Sequence, residues 1–380
     1  MMSSRGSIFI SAGDPSADYP GRLLIEEISA ACPTLEFIGL GGPQMQAAGL
    51  RTIADHTRLA ILGFREVLPK IFYFFRLLGK AERVIREQKP QAVILLDYPG
   101  FNLRLARRAK RLGVPVIYYI SPQLWAWGGN RIKAVRRYVD LMLVLFPFEE
   151  EFYRKQNIPV RLVGHPIVDR FRNLPARSDC RRLLGIEKDR PAVALLPGSR
   201  PQEVKRMLRV MIKAAALMKA HLPSARFVVA AVEDIPDDVY RHLIGAEKVE
   251  IVTGRTPEII RAADLAIIAS GTATVEAAWL GTPMVVVYKT GWVTYQIARR
   301  LIKLDCIGMV NIIAGRRIVP ELIQHRATPQ CIAQAALEIL SSAERMEQMR
   351  NGLLAVQTNL GSGGAGRQAF EAIKKVVPLC

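Results

Sequence analysis

For a chain of 380 residues this one is short of cysteine and of acid. Its five cysteines, Cys32, Cys180, Cys306, Cys331 and Cys380, are scattered, with no CxxC and no histidine at ligand spacing. That pattern argues against a metal site or a disulfide framework and fits a reducing compartment. Thirty-four Asp and Glu stand against 53 Lys and Arg, a formal charge of +19. The excess implies an anionic partner, whether nucleic acid, an anionic membrane surface or a phosphorylated substrate, and charge alone does not choose among them. No GxGxxG follows the first strand, and the chain has no internal repeat. The N-terminus passes from Met1-Met2-Ser3-Ser4-Arg5 straight into SIFISAG without the apolar region of a signal peptide, so a cytoplasmic protein with only peripheral membrane contact is expected. The stretch poorest in charge, Leu265 to Tyr288, carries Glu276 alone, but its glycines, proline and hydroxyl residues argue against a membrane span.

What is present is an alternation of short apolar runs with helical patterns, in two series. The length suggests two α/β domains. The first series has strand-like runs at Ser7–Ser11, Phe37–Leu40, Ala92–Leu96, Val114–Tyr119, Leu141–Phe146 and Val160–Val163. Val168–Asp179 has no periodic apolar pattern and reads as a linker. The second series has runs at Ala192–Leu196, Phe227–Ala231, Glu250–Val252, Leu265–Ala269 and Met284–Tyr288. Beyond it, Thr294–Lys303 reads as a basic helix, Val310–Arg316 as a loop or short strand, and Val319–Gln324 as a helix. Helical patterns at Pro329–Ser342, Ala343–Thr358 and Arg367–Val376 close the chain.

Several strand ends carry candidate chemistry. Ser270-Gly271-Thr272-Ala273-Thr274 joins a buried strand to a short helix, where backbone N–H groups and the helix dipole favour a phosphate. Glu276, just inside that helix, is placed to accept from the two hydroxyls of a ribose. An ordinary βα turn without a ligand is the competing reading. Pro197-Gly198-Ser199-Arg200 opens a helix in the same way, with Arg200 able to grip a diphosphate. In the first half, Asp14, Ser16 and Asp18 make an acidic loop better suited to sugar hydroxyls than to a dinucleotide. Asp97 ends an apolar strand where ligands sit in open α/β sheets, which makes it a candidate general base, although a turn-forming aspartate is the commoner role. Trp125 and Trp127 either wall a pocket or pack on a neighbouring loop. His165 is a base, a phosphate contact, or simply a hydrogen-bonded loop histidine.

The stretch from 67 to 86 has its own character. Val67, Leu68, Ile71, Phe72, Phe74, Phe75, Leu77 and Leu78 are interleaved with Lys70, Arg76, Lys80, Arg83 and Arg86. An aromatic helix with a basic flank suits the surface of an anionic membrane, the alternative being a helix buried against a sheet.

Blocks in order along nearly the whole chain carry a resemblance to a known family. They include SAGDPSAD (11–18), GLGGPQMQAAG (39–49), LGFREVL (62–68), DYPGFNLRLA (97–106), YYISPQLWAW (118–127) and FPFEEEFY (146–153). VGHPIVD (163–169), LLPGSRPQEVKR (195–206), ASGTATVEAA (269–278), MVVVYK (284–289) and NIIAGRRIVPELIQ (311–324) complete the set. With these the chain resembles the lipid-A-disaccharide synthase family of bacterial glycosyltransferases. The resemblance implies a GT-B fold, two Rossmann-like parallel-sheet domains facing a cleft, here 1–170 and 171–355, with a C-terminal helix in 356–380 returning to an N-terminal domain. It leaves open whether that domain is the chain's own or a second subunit's in a homodimer. It implies inverting transfer of 2,3-diacylglucosamine from UDP to 2,3-diacylglucosamine 1-phosphate, on the cytoplasmic face of the inner membrane, with no metal, no other cofactor and no nucleic acid. Asp97 would be the base; Arg200, Ser270 to Thr274, Glu276 and Asn311 would hold UDP. Asp14, Ser16, Asp18, Asn102, Trp125 and His165 would line the acceptor side. The family's first loop reads AGExSGD, so Asp14 and Ala17 are departures, and an alanine where glycine is usual puts that loop's geometry in question. A UDP-sugar epimerase of GT-B type and a basic nucleic-acid-binding protein are the alternatives; the absence of a nucleic-acid motif counts against the second.

Overall fold

Apolar runs without alternation belong to strands buried on both faces, and the structure realises them so. The computed structural model describes residues 6–54, 67–126, 129–291 and 306–379. The chain divides into two units, Met1–Asp169 with Ser362–Cys380, and Arg170–Gly361.

In the first unit the elements run β1 (Ser7–Ala12), α1 (Asp18–Ala31), β2 (Glu36–Leu40), α2 (Pro43–Ala47), β3 (Leu50–Thr52), α3 (Val67–Gln88), β4 (Ala92–Leu96), α4 (Pro99–Arg111), β5 (Val116–Tyr119), α5 (Ile132–Tyr138), β6 (Leu141–Val144), α6 (Pro147–Lys155) and β7 (Val160–Leu162). A short helix α7 (Ile167–Arg170) ends this run. The seven strands form one parallel sheet in the order β3-β2-β1-β4-β5-β6-β7. β1 and β4 are buried throughout, as strands covered on both faces must be. Phe9, Val93, Leu95, Phe101 and Tyr118 sit in its main apolar cluster.

The second unit holds α8 (Arg177–Leu183), β8 (Ala192–Leu196), α9 (Pro201–His221), β9 (Arg226–Ala231), α10 (Asp237–Ile244), β10 (Glu250–Thr253), α11 (Thr256–Ala262), β11 (Leu265–Ala269), α12 (Ala273–Trp279), β12 (Met284–Tyr288), α13 (Met309–Ala314), β13 (Glu321–Ile323), α14 (Pro329–Leu340) and α15 (Ala343–Leu360). Its sheet is parallel as well, in the order β10-β9-β8-β11-β12-β13. In each sheet the strand order reverses once, between β1 and β4 and between β8 and β11. Those reversals are where open α/β sheets bind ligands, beyond the carboxyl ends of the strands.

A final helix, α16 (Ala365–Lys374), belongs to the first unit and packs on α1. Gly366 permits that crossing, since a Cβ there would lie 2.9 Å from the Leu23 carbonyl oxygen. Asp169 ties the returning chain down, its carboxylate accepting from Gly364 and Ala365 N–H at 2.7 and 3.0 Å and so capping α16. The return begins at Ser362 rather than 356, because α15 runs unbroken to Leu360.

Three sequence expectations are corrected. Val310–Arg316 is not a strand: its β-branched residues lie in helix α13. Glu321 is not in a helix but in β13, pairing with β12 through Val286. The expected linker 168–179 is half helical, its two ends lying in α7 and the start of α8. Cys180, Cys306 and Cys331 are free thiols, whereas Cys32 is disulfide-bonded, which its scattered spacing did not suggest. The 294–303 stretch, Trp127, Cys380 and the 62–66 part of one motif lie outside the described residues.

Candidate active site

At the first reversal, β1 and β4 lie in register with Ala12 opposite Leu96, so the loops that follow them, Gly13-Asp14 and Asp97-Tyr98, leave the sheet side by side. The chain has to turn sharply there from β4 into α4. It does so with two consecutive residues in left-handed conformation, Asp97 and Tyr98, each at φ 47°. Such a conformation costs roughly 1–2 kcal/mol per non-glycine residue and needs support from its surroundings. The Tyr98 ring fills the space over Gly13, where a Cβ would come within 2.4 Å of it. The Asp97 carbonyl accepts from Tyr118 Oη at 2.6 Å and from Asn102 Nδ2 at 2.8 Å. The Asp97 carboxyl is pushed up to about 6, chiefly by burial, then by the charge of Asp14, against a lowering contribution from the Tyr98 N–H. A carboxylate tuned in this way suits a general base working near neutral pH.

The other residues expected on this side divide by what their polar atoms already hold. Asn102 is fully buried; its amide nitrogen donates to the Ser11, Leu96 and Asp97 carbonyls and its oxygen accepts from Ser11 Oγ. Asp18 is buried too, both oxygens accepting from the N-terminus of α2 at Gln44 and Met45. Both side chains are buried and bonded within the fold. Asp14 and Ser16 are turned on each other, Ser16 donating through N–H and Oγ to Asp14 Oδ1 at 3.0 and 2.9 Å. Ala17 has φ −85°, an ordinary helical value, so alanine is accommodated where the family pattern has glycine. Trp125 donates from Nε1 to Glu149 at 3.2 Å and meets Phe148 edge to face. Glu149 itself, a residue the sequence did not single out, gathers Ser121 Oγ, Trp125 and the Leu145 and Phe146 N–H groups. His165 Nδ1 accepts from Ile167 N–H, and burial pushes the ring down to about 4. Its proton therefore sits on Nε2: at neutral pH this histidine is a hydrogen-bond donor and not a base.

On α3, Phe72 and Phe75 are 77% and 52% exposed, beside exposed Arg76 and Arg83. Phe74 instead turns inward, edge to face with Phe101 at 5.3 Å and beneath the Arg104 guanidinium. The side chains of Val67, Leu68 and Ile71 lie outside the described residues. Among the described residues no helix is long and apolar enough to cross a membrane.

At the second reversal, the β8–α9 loop holds Arg200 and the β11–α12 loop holds Ser270 to Thr272, with Ala273 and Thr274 in the first turn of α12. Gly271 and Thr272 are exposed. Thr274 is buried, its hydroxyl donating to the Gly271 carbonyl at 2.8 Å, so it shapes the loop instead of facing a ligand. Glu276 is nearly buried and pairs with Arg170 at 3.3 Å; burial raises its carboxyl and Arg170 partly offsets that. The mouth of α9 already has an anion in it. Glu203, three residues into the helix, sets its carboxylate against Gly198 and accepts from the Ser199 and Arg200 N–H groups. An acid three residues after an N-cap is a signal legible in sequence. Asn311 is buried with every hydrogen-bonding position taken: its nitrogen donates to Val319 O and Glu321, and its oxygen accepts from the Ile318 and Val319 N–H groups. Glu321, also buried, accepts from the Ile307 and Gly308 N–H groups as well. The pair builds the 307–321 segment, and Ser270 Oγ reaches the Ile307 carbonyl at its near end.

Comparison with known proteins decides what this scaffold is. A family model described as lipid-A-disaccharide synthetase matches residues 8–368. The lipid-A-disaccharide synthase of Geobacter metallireducens is 40% identical over 364 residues, covering 95% of this chain and 94% of that one. The chain belongs to the lipid-A-disaccharide synthase family. The Myxococcus xanthus synthase is 38% identical over 379 residues, covering 99% of both chains. The fold is shared more widely. A UDP-GlcNAc 2-epimerase from Neisseria meningitidis, solved with UDP-GlcNAc bound, superposes with a TM-score of 0.65 at 14% identity, covering 97% of this chain and 99% of that one. The calicheamicin glycosyltransferase superposes at 0.59 with 16% identity, covering 98% of each chain. Those likenesses establish two GT-B-like parallel-sheet domains. As a member of the lipid-A-disaccharide synthase family the chain is an enzyme, a glycosyltransferase of lipid A biosynthesis, and the family implies a UDP-sugar donor and a lipid acceptor.

Proposed function

We propose that this synthase transfers 2,3-diacylglucosamine from its UDP donor to the 6-hydroxyl of 2,3-diacylglucosamine 1-phosphate, with inversion, giving the β(1→6) disaccharide 1-phosphate and UDP. The observation that carries the reading is Asp97: a partly buried carboxylate with a raised pKa, at the reversal point of the first sheet, in a chain of this family. Asp97 takes the proton of the acceptor hydroxyl as its oxygen attacks the anomeric carbon, and the bond from that carbon to the UDP oxygen breaks. Asp14 keeps the base from ionising too readily. In the second unit the 270–274 loop and Arg200 receive the diphosphate, and Glu276 meets the ribose hydroxyls. Glu203 then moves off, or shares, the N–H groups it holds. Asn311 serves this half by shaping 307–321, with no direct bond to UDP.

The reading includes no metal, since Arg200 and backbone N–H groups take up the leaving charge; chelation with EDTA is expected to leave UDP release unchanged. It also includes contact between α3 and the cytoplasmic face of the inner membrane, supported by the bare Phe72 and Phe75 among arginines. The test is to supply both lipid substrates in detergent and follow UDP and disaccharide, with Asp97→Ala as the control. Disaccharide formation at the parental rate by Asp97→Ala would remove Asp97 from the mechanism.

A further inference from the structure

The Asp97 carboxylate depends on a backbone that does not hold itself. Asp97 and Tyr98 are both left-handed, and tyrosine has no local hydrogen bond of its own with which to favour that state. Two donors converge on the Asp97 carbonyl oxygen, Tyr118 Oη and Asn102 Nδ2, and both side chains are 0% exposed. Ser11 Oγ donates to Asn102 Oδ1 at 2.7 Å, which fixes the way round of the amide and aims its nitrogen at the 96–97 carbonyls. The three side chains come from β1, β5 and α4, elements packed around the end of β4.

We propose that Tyr118 and Asn102, oriented by Ser11, are positioning residues of the transfer reaction: they hold the Asp97 peptide in its left-handed turn and so keep the Asp97 carboxylate beside Asp14 at the mouth of the sheet. The proposal rests on the reading of Asp97 as the base. A purely architectural role would look different. Asn102 joins the carbonyl ends of β1 and β4 and would serve the core in any case, but the bond from Tyr118 Oη goes to the Asp97 carbonyl, with no strand pairing depending on it. With that bond removed, the turn relaxes toward commoner backbone angles, and the carboxylate swings toward water and away from Asp14.

Tyr118→Phe deletes one oxygen from a buried ring and keeps its shape, so it tests the idea where Asn102→Ala would endanger the fold. The expected result is a fall in kcat of roughly 10- to 100-fold, the scale of a misplacement of about 1 Å. KM for both substrates should stay within about twofold, because the misplaced group acts on the reacting atoms and not on binding. The acid limb of the kcat–pH profile should move to lower pH, as a carboxyl that gains water and loses a neighbouring charge ionises more readily. Ser11→Ala should show the same two changes at smaller size. A folded Tyr118→Phe enzyme with the parental kcat and acid limb overturns the proposal, as does a loss of activity matched by an equal loss of folded protein. Asp97→Ala, run alongside, separates the two layers. If it keeps parental turnover, the base assignment is what fails; if it is inactive while Tyr118→Phe is parental, the positioning proposal fails alone.

Discussion

Asp97 makes two measurable demands on pH. As a base it works only when ionised, so kcat/KM should rise as pH passes through about 6 and level off above it. Its stability effect runs the other way. The folded-state pKa lies above the ordinary 3.8, so the stability this group contributes is full below 3.8 and lost as pH rises through about 6. Asp97→Asn should therefore raise the unfolding free energy at pH 7.5, by about 3 kcal/mol at most and less because the group is partly solvated, and hardly change it near pH 3.5. A variant that is inactive yet more stable would mark Asp97 as a functional strain point; one destabilised at both pH values would make it a structural residue. His165 has the opposite sign. Its folded pKa is depressed, so the stability it gives is present above 6.5 and lost as pH falls through about 4.

Among the elements, α3 and the 307–321 segment carry the sharpest expectations. Phe72→Ser with Phe75→Ser should weaken cosedimentation with anionic vesicles severalfold, each exposed ring being able to bury up to about 2–3 kcal/mol in a bilayer, while UDP binding stays unchanged. Phe74→Ser should instead lower stability, since that ring packs on Phe101. Asn311→Ala leaves the Glu321 carboxylate and the Ile318 and Val319 N–H groups short of partners and should cost about 3 kcal/mol by denaturant titration. That segment also marks where sequence reading stops. Val310, Ile312 and Ile313 read as strand-formers, yet buried Glu321, well past β12 in the chain, receives the 307–308 N–H groups and lets a helix begin there. A bond between residues 13 apart leaves no periodic trace. The unalternating runs of β1, β4, β8 and β11 were legible, by contrast, because burial on both faces writes itself directly into composition.

At the scale of the molecule, the C-terminal return to the first unit hangs on a small-residue crossing and one carboxylate. Gly366→Leu should push α16 off α1 and destabilise the first unit by about 1–3 kcal/mol, read by hydrogen exchange in α1, and leave exchange in the second sheet as it was. Asp97 and the 270–276 segment follow strands at the two reversal points, where open α/β sheets bind ligands, and that placement could be read from the order of apolar runs. Asn102, Asp18, Asn311 and Thr274 bond within the fold, which the sequence did not show: a polar side chain in a family motif looks the same in sequence whether it faces a ligand or holds the loop that does. The central claim is a reaction, and one assay meets it most directly. Purified protein is given UDP-2,3-diacylglucosamine and 2,3-diacylglucosamine 1-phosphate in detergent, and UDP and the disaccharide 1-phosphate are quantified for the parent and for Asp97→Asn. The account predicts equimolar UDP and β-linked disaccharide from the parent, and neither above background from Asp97→Asn with UDP affinity retained. Disaccharide formed at the parental rate by Asp97→Asn, or UDP released by the parent without disaccharide, would contradict it.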